Sequence, residues 1–98
     1  MRPSRVRRRV DANQQRIVAA LRAHGCLVQS LAAVGEGCPD LLVGCPDDVL
    51  RLMEVKDESQ PPNKRALTPA EAEWHRAWSY FPIYIVETVA EALKAARC

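Results

Sequence analysis

Gly35-Glu36-Gly37-Cys38-Pro39-Asp40-Leu41-Leu42-Val43-Gly44-Cys45-Pro46-Asp47-Asp48-Val49-Leu50-Arg51-Leu52-Met53-Glu54-Val55-Lys56-Asp57 is the stretch around which the chain is organised. Two apolar runs, Leu41–Val43 and Val49–Val55, flank the turn-like segment Gly44-Cys45-Pro46-Asp47-Asp48, a pattern that predicts a β-hairpin. Pairing symmetric about the turn puts Val43 opposite Arg51, Leu41 opposite Met53 and Asp40 opposite Glu54. Cβ atoms of directly opposed residues lie about 5 Å apart, and like charges placed there repel. A divalent cation between the two carboxylates reverses the sign of that interaction. Glu54 and Lys56 are two apart and share a strand face, with Val55 on the other. Two carboxylates and one ammonium therefore converge at one strand end.

Outward from the hairpin, Asp11 is expected to cap a first helix, with Ile17, Val18, Ala20 and Leu21 on its apolar face and Gly25 as its left-handed stop. Gln14, three residues after Asp11, completes a variant capping box or reaches the site through water; both roles fit. Cys26–Leu31 reads as a strand. Residues 57–67 are polar and proline-bearing and read as a surface loop. Thr68-Pro69-Ala70-Glu71 is a full helix start, with Thr as N-cap, Pro at the first position and Glu at the third. That helix carries Trp74 and Trp78 four apart, expected first in the core and second at a dimer interface. Ile83–Val86 reads as a buried strand. Thr88-Val89-Ala90-Glu91 opens a last helix, with Val89, Ala92, Leu93 and Ala96 inward. The predicted order is αβββαβ(α): an α/β fold with a small mixed sheet flanked by helices. A strand–helix–strand step makes the strands around Glu54 and Ile85 parallel.

The chain has 98 residues, 48% hydrophobic and 27% charged, which suits one small globular domain. A domain of this size buries only about 60–70% of its unfolded surface, so oligomerisation would help it. No apolar run approaches the roughly 18 residues of a membrane span, and the N-terminus lacks the apolar core of a secretory signal. The net charge is only +2, yet Arg2, Arg5, Arg7, Arg8 and Arg9 crowd the start. Residues 1–10 read as a basic flexible arm preceding a single domain, 11–98. Such an arm suits the phosphates of a polyanion, or is simply a solvated tail. Cys26, Cys38, Cys45 and Cys98 form no CxxC pair, and no His sits at a zinc-finger spacing. They read as reduced thiols of a cytosolic protein.

Pro39-Asp40 followed by Glu54-Val55-Lys56 resembles the PD-(D/E)XK signature of the restriction-endonuclease-like nuclease superfamily. The wider pattern adds Gly35-x-Gly37 before it, and Leu67-Thr68-Pro69-x-Glu71 after it. Together these resemble the small VRR-NUC branch, which includes stand-alone phage and bacterial proteins related to Holliday junction resolvases. The resemblance covers roughly residues 11–93. It implies a Mg²⁺-dependent DNA endonuclease, with Mn²⁺ as substitute, that leaves a 5′-phosphate and a 3′-hydroxyl. Asp40 and Glu54 are the carboxylates that can hold the ion, with the Val55 carbonyl as the further ligand the resemblance implies. Lys56 can hold the attacking water and stabilise developing charge. Many relatives carry an acidic residue on the first helix near the metal. Here that helix offers Asn13, Gln14 and Gln15, which puts a second metal ion in doubt and leaves Gln14 as a candidate supporting residue.

Lys64 and Arg65 lie on the loop after the catalytic strand, where the family tends to meet DNA, and join Arg5, Arg7, Arg8 and Arg9 as DNA-binding candidates. Glu71 reads as a cap residue, His75 as a surface histidine, and Glu36 as a loop residue or a ligand. The favoured substrate is branched DNA, cut by a two-fold homodimer. Its interface is expected on the Trp74/Trp78 helix, or else on the Cys26–Leu31 edge. The bacterial or phage-encoded protein is expected in the cytoplasm. The competing readings are a degenerate nuclease fold that only binds DNA, and a nicking or restriction enzyme.

Overall fold

The hairpin forms in the register that the symmetric turn predicts: Leu41 faces Met53 and Val43 faces Arg51. The computed structural model describes residues 3–98, and their side chains from Ala12 onward. Its elements are α1 (Pro3–Ala23), β1 (Leu27–Ser30), β2 (Leu41–Gly44), β3 (Leu50–Val55), α2 (Pro62–Arg65), α3 (Pro69–Ala77), β4 (Ile83–Val86) and α4 (Val89–Ala95). The sheet order is β1-β2-β3-β4. Strand β2 is antiparallel to both β1 and β3, and β4 is parallel to β3, as the helical crossover requires. No described helix is long and apolar enough to cross a membrane.

One sheet face carries the core. Ile17 and Leu21 from α1 and Ala92 and Ala96 from α4 bury against Leu41, Val43, Met53 and Val86. The helix ends that frame this layer share one device. The Cys26 amide donates to the Leu21 carbonyl and the Gly25 amide to the Arg22 carbonyl, at 3.0 Å each. This is a Schellman motif, with Gly25 at φ +91° where a side chain would be strained. Helix α4 ends the same way, through Cys98 to Leu93 and Arg97 to Lys94, with Arg97 at φ +63°. All four cysteines are free thiols. Cys26 and Cys98 have their sulfurs 3.8 Å apart, and burial, then the Cys98 contact, push the Cys26 thiol up to about 12.

The structure departs from the sequence reading in four places. Helix α1 begins at Pro3, so Asp11 lies inside it and not at its cap. Residues 4–23 contain neither Pro nor Gly, and Arg is a good helix former, so nothing in that stretch stops the helix. The 57–67 loop contains a helical turn, α2, opened by Pro62 at its first position, where a fixed φ is an advantage. Strand β4 buries only Val86, and Ile85 is 48% exposed. It is an edge strand of the sheet. Trp74 and Trp78 are not core residues, since α3 buries no residue. They stack on each other with ring centroids 4.8 Å apart and planes 3° from parallel, and Phe81 packs against Trp78.

Arg51 is the one long cation on the core face of β3 and is only 4% exposed. Asp47 in the turn meets it with both carboxylate oxygens, at 2.9 and 2.8 Å. That contact holds Asp47 down at about 2. A depressed carboxylate contributes stability above its unfolded value of about 3.9, lost as pH falls through its folded value. Asp47→Asn should therefore lower Tm at neutral pH. It should also remove the part of the acid-induced loss that wild type shows between about pH 4 and pH 2, read by thermal melts across pH.

Candidate active site

Asp40 stands immediately before β2, and the hairpin register brings it opposite Glu54. Its Oδ2 accepts the Val55 backbone N–H at 2.7 Å, which fixes the carboxylate against the end of β3. Glu54 is 2% exposed and points to the face opposite Met53. Lys56 follows on the same face as Glu54. Its Nζ lies 3.5 Å from Glu54 Oε2 and 2.9 Å from Glu71 Oε1. The three residues that carry the motif therefore meet, and they line one cleft of about 410 Å³ with Gln14, Lys64 and Glu71.

The charges are under stress. Burial, with the facing Asp40 carboxylate adding to it, pushes Glu54 up to about 9. Asp40 is also raised, by burial that outweighs its bond to the Val55 amide. Burial works against the Lys56 ammonium, but the Glu71 hydrogen bond and the Glu54 charge outweigh it and keep Lys56 firmly protonated. Glu54 Oε1 is buried with no hydrogen-bond partner. An orphaned carboxylate oxygen beside a second carboxylate is the environment a hard divalent cation relieves. No three His, Cys, Asp or Glu side chains group as metal ligands among the described residues. Asp40, Glu54 and the Val55 carbonyl are the available donors, and Mg²⁺ completes such a partial set with water.

The other candidates divide. Gln14 is half-buried on α1 and reaches the cleft, and Lys64 on α2 does too. Arg65 does not. It turns toward Glu87, 3.4 Å away. Glu36 is exposed, at φ +60°, and does not line the cleft. The side chains of Arg5, Arg7, Arg8 and Arg9 lie outside the described residues. His75 is half-buried, with Nε2 enclosed and unpartnered, and burial lowers it; it is not the surface histidine expected. A larger cleft of about 540 Å³ runs along β4 and α4, but Asp40, Glu54 and Lys56 do not line it.

Two residues at the site escaped the sequence reading. Glu71 was read as a cap and is one, accepting the Thr68 N–H at 2.9 Å, yet the same oxygen takes the Lys56 ammonium. Asn13 is 6% exposed. Its Nδ2 donates to the Lys56 carbonyl at 2.8 Å and to the Glu87 carbonyl at 3.0 Å, and its Oδ1 accepts from Arg16 at 3.1 Å. It ties α1 to the exits of both β3 and β4. The available signal was an amide four residues before Ile17, the start of the apolar stripe of α1, on the helix turn that faces the strand ends.

No family model and no curated protein matches the chain. A solved structure described as a VRR_NUC domain superposes with a TM-score of 0.64 at 28% sequence identity, covering 86% of this chain and 89% of that one.

Asn13→Ala should leave the Lys56 and Glu87 carbonyls without a partner. Its cost is about 2–3 kcal/mol of unfolding free energy, since an orphaned buried polar group costs about 1–3 kcal/mol. Urea denaturation measures it. A change below about 0.5 kcal/mol would mean that water replaces the amide at both carbonyls.

Proposed function

We propose that this chain, which belongs to the VRR-NUC nuclease family, is a divalent-metal-dependent endodeoxyribonuclease that hydrolyses phosphodiester bonds, with branched DNA as its preferred substrate. The observation that carries the reading is the opposition of Asp40 and Glu54 with one orphaned carboxylate oxygen and Lys56 alongside. A structural hairpin gains nothing from two opposed carboxylates whose joint ionisation burial and mutual repulsion disfavour, and a module that only binds DNA needs cations there, not carboxylates. Asp40, Glu54 and the Val55 carbonyl would hold Mg²⁺ or Mn²⁺. When bound, such an ion supplies positive charge to the phosphoryl oxygens and makes water a better nucleophile at neutral pH.

The chain's own residues supply the rest. Lys56 presents a fixed ammonium on the same face as Glu54, where it orients a nucleophilic water and offsets the negative charge that grows on the phosphorus oxygens. Lys64 at the cleft rim is placed to meet a backbone phosphate as a point charge. The basic N-terminal arginines extend that phosphate contact without reading sequence.

Asp40→Ala, Glu54→Ala and Lys56→Ala should each reduce cleavage by 10³-fold or more, on the scale of other essential catalytic groups. Glu54→Ala should leave stability unchanged or raise it, because it removes one of two facing carboxylates, whereas Asp40→Ala also strips the Val55 N–H of its acceptor and should cost about 1–3 kcal/mol. The assay pairs purified protein with supercoiled plasmid, a synthetic four-way junction and linear duplex, with and without Mg²⁺ or Mn²⁺. Preferential junction cleavage with metal is the expected result. Plasmid nicking alone favours a nicking enzyme, binding without cleavage favours a degenerate fold, and near wild-type rates in Glu54→Ala would sink the assignment.

Symmetric cutting of a branch calls for two sites, and the sheet offers a surface for pairing. Leu27 is 78% and Leu50 61% exposed. They flank Gly44 on the face not covered by α1 and α4. A homodimer that pairs through Leu27 and Leu50, at the turn end of this face and away from Asp40 and Glu54, should scatter light as twice the chain mass at low micromolar concentration, and Leu50→Asp should shift it to monomer. A wild-type monomer, both free and on junction DNA, would rule the dimer out.

A further inference from the structure

We propose that Glu71 is a positioning residue for the Lys56 ammonium, and that the first turn of α3 thereby forms a third wall of the site. This rests on the nuclease reading and names the residue that orients its lysine. A capping glutamate needs only the N–H of its own N-cap residue. Glu71 Oε1 takes that N–H from Thr68 at 2.9 Å and, on the same oxygen, the Lys56 Nζ at 2.9 Å. Glu71 is thus closer to Lys56 than is Glu54 Oε2, at 3.5 Å. The side chains are largely enclosed, 12% exposed for Lys56 and 19% for Glu71.

The chain contains its own comparison. Thr88-x-x-Glu91 has the same spacing at the start of α4. Glu91 there accepts the Glu87 backbone N–H at 2.7 Å and contacts no lysine. A glutamate at the same position of a helix start, bonded there to the N–H of the residue before the cap, therefore does not require what Glu71 does.

The approach of α3 to the site is also built in. Gly37 sits at φ +81°, and a Cβ on it would overlap the Ala70 carbonyl, with the Ala70 carbonyl carbon 2.6 Å away and the Glu71 nitrogen 3.0 Å away. The helix start is docked on the backbone of the loop that carries Pro39-Asp40, and only glycine leaves room for it. One loop thus sets Asp40, and through α3 sets Glu71. A lysine on a flexible four-carbon stem is held between Glu54 on its own strand and Glu71 on the helix opposite.

The test compares wild type, Glu71→Gln, Glu91→Gln and Thr68→Ala. Glu71→Gln keeps an acceptor for the Thr68 N–H but removes the charge that faces Lys56. With Mg²⁺ and junction DNA it should keep its circular dichroism and lower kcat at least tenfold, with KM changed less than threefold. In ¹³C-lysine NMR without metal or DNA, the Lys56 Cε order parameter should fall toward those of Lys64 and Lys94. Glu91→Gln should move neither readout, and Thr68→Ala should lower Tm while leaving Lys56 ordered. An unchanged Lys56 order parameter in Glu71→Gln overturns the proposal whether or not the protein cuts DNA, as does a kcat within twofold of wild type. If wild type cuts nothing while Glu71→Gln still loosens Lys56, the positioning role stands and the nuclease reading fails.

Discussion

Two carboxylates held face to face at the end of a hairpin are the constraint on which the rest of the structure depends. In an antiparallel pair, opposed positions alternate between hydrogen-bonded and non-hydrogen-bonded sites, and side chains are closer at the latter. The Cys45 amide bonds the Val49 carbonyl, and Lys56 and Leu52 bond toward the β4 side. Odd-numbered residues of β3 therefore aim their main chain at β2, and even-numbered ones at β4. Asp40 and Glu54 consequently fall at a non-hydrogen-bonded site, where their repulsion is greatest. A register slip of one residue would move Glu54 to the core face and separate the pair.

What surrounds the pair makes it tolerable without removing the strain. Val55 N–H holds one carboxylate, Lys56 leans on the other, and Glu71 draws Lys56 into place. Asn13 fixes the backbone at Lys56 from behind. None of these contacts reaches Glu54 Oε1. The fold thus over-determines the positions of the charged groups while leaving one acceptor open. That is the pattern of a site shaped for something the polypeptide does not itself contain.

The parts of this arrangement that were legible in the sequence are those carried by local chemistry. The turn Gly44–Asp48 and its apolar flanks specify the register, and the register specifies the carboxylate pair. Thr68-Pro69-Ala70-Glu71 specifies a helix start, and the structure has the full reciprocal box there. What was not legible depends on long-range placement. Asn13 and Lys56 are 43 residues apart, and Glu71 and Lys56 are 15 apart. No spacing rule joins either pair. The misreading of Ile83–Val86 and of the tryptophans has the same origin. Apolar character says that a residue gains from contact, not whether this chain supplies the partner. Trp78 satisfies that need with Trp74 and Phe81 at the surface.

The proline before Asp40 follows from the same ladder. Extending the register two steps past Leu41 and Met53 places Pro39 opposite Val55, at a hydrogen-bonded site. A residue with an N–H there would donate to the Val55 carbonyl and close the ladder. Proline has none to give. The Val55 N–H is then taken by the Asp40 side chain instead of a main-chain carbonyl, and Pro39, fully buried, keeps the strands from pairing further. The Val55 carbonyl is thus left without its ladder donor beside two carboxylates. The Pro-Asp and Glu-x-Lys halves of the motif are coupled through the backbone: the proline ends the ladder where a carbonyl is wanted, and the aspartate occupies the amide that the ended ladder releases.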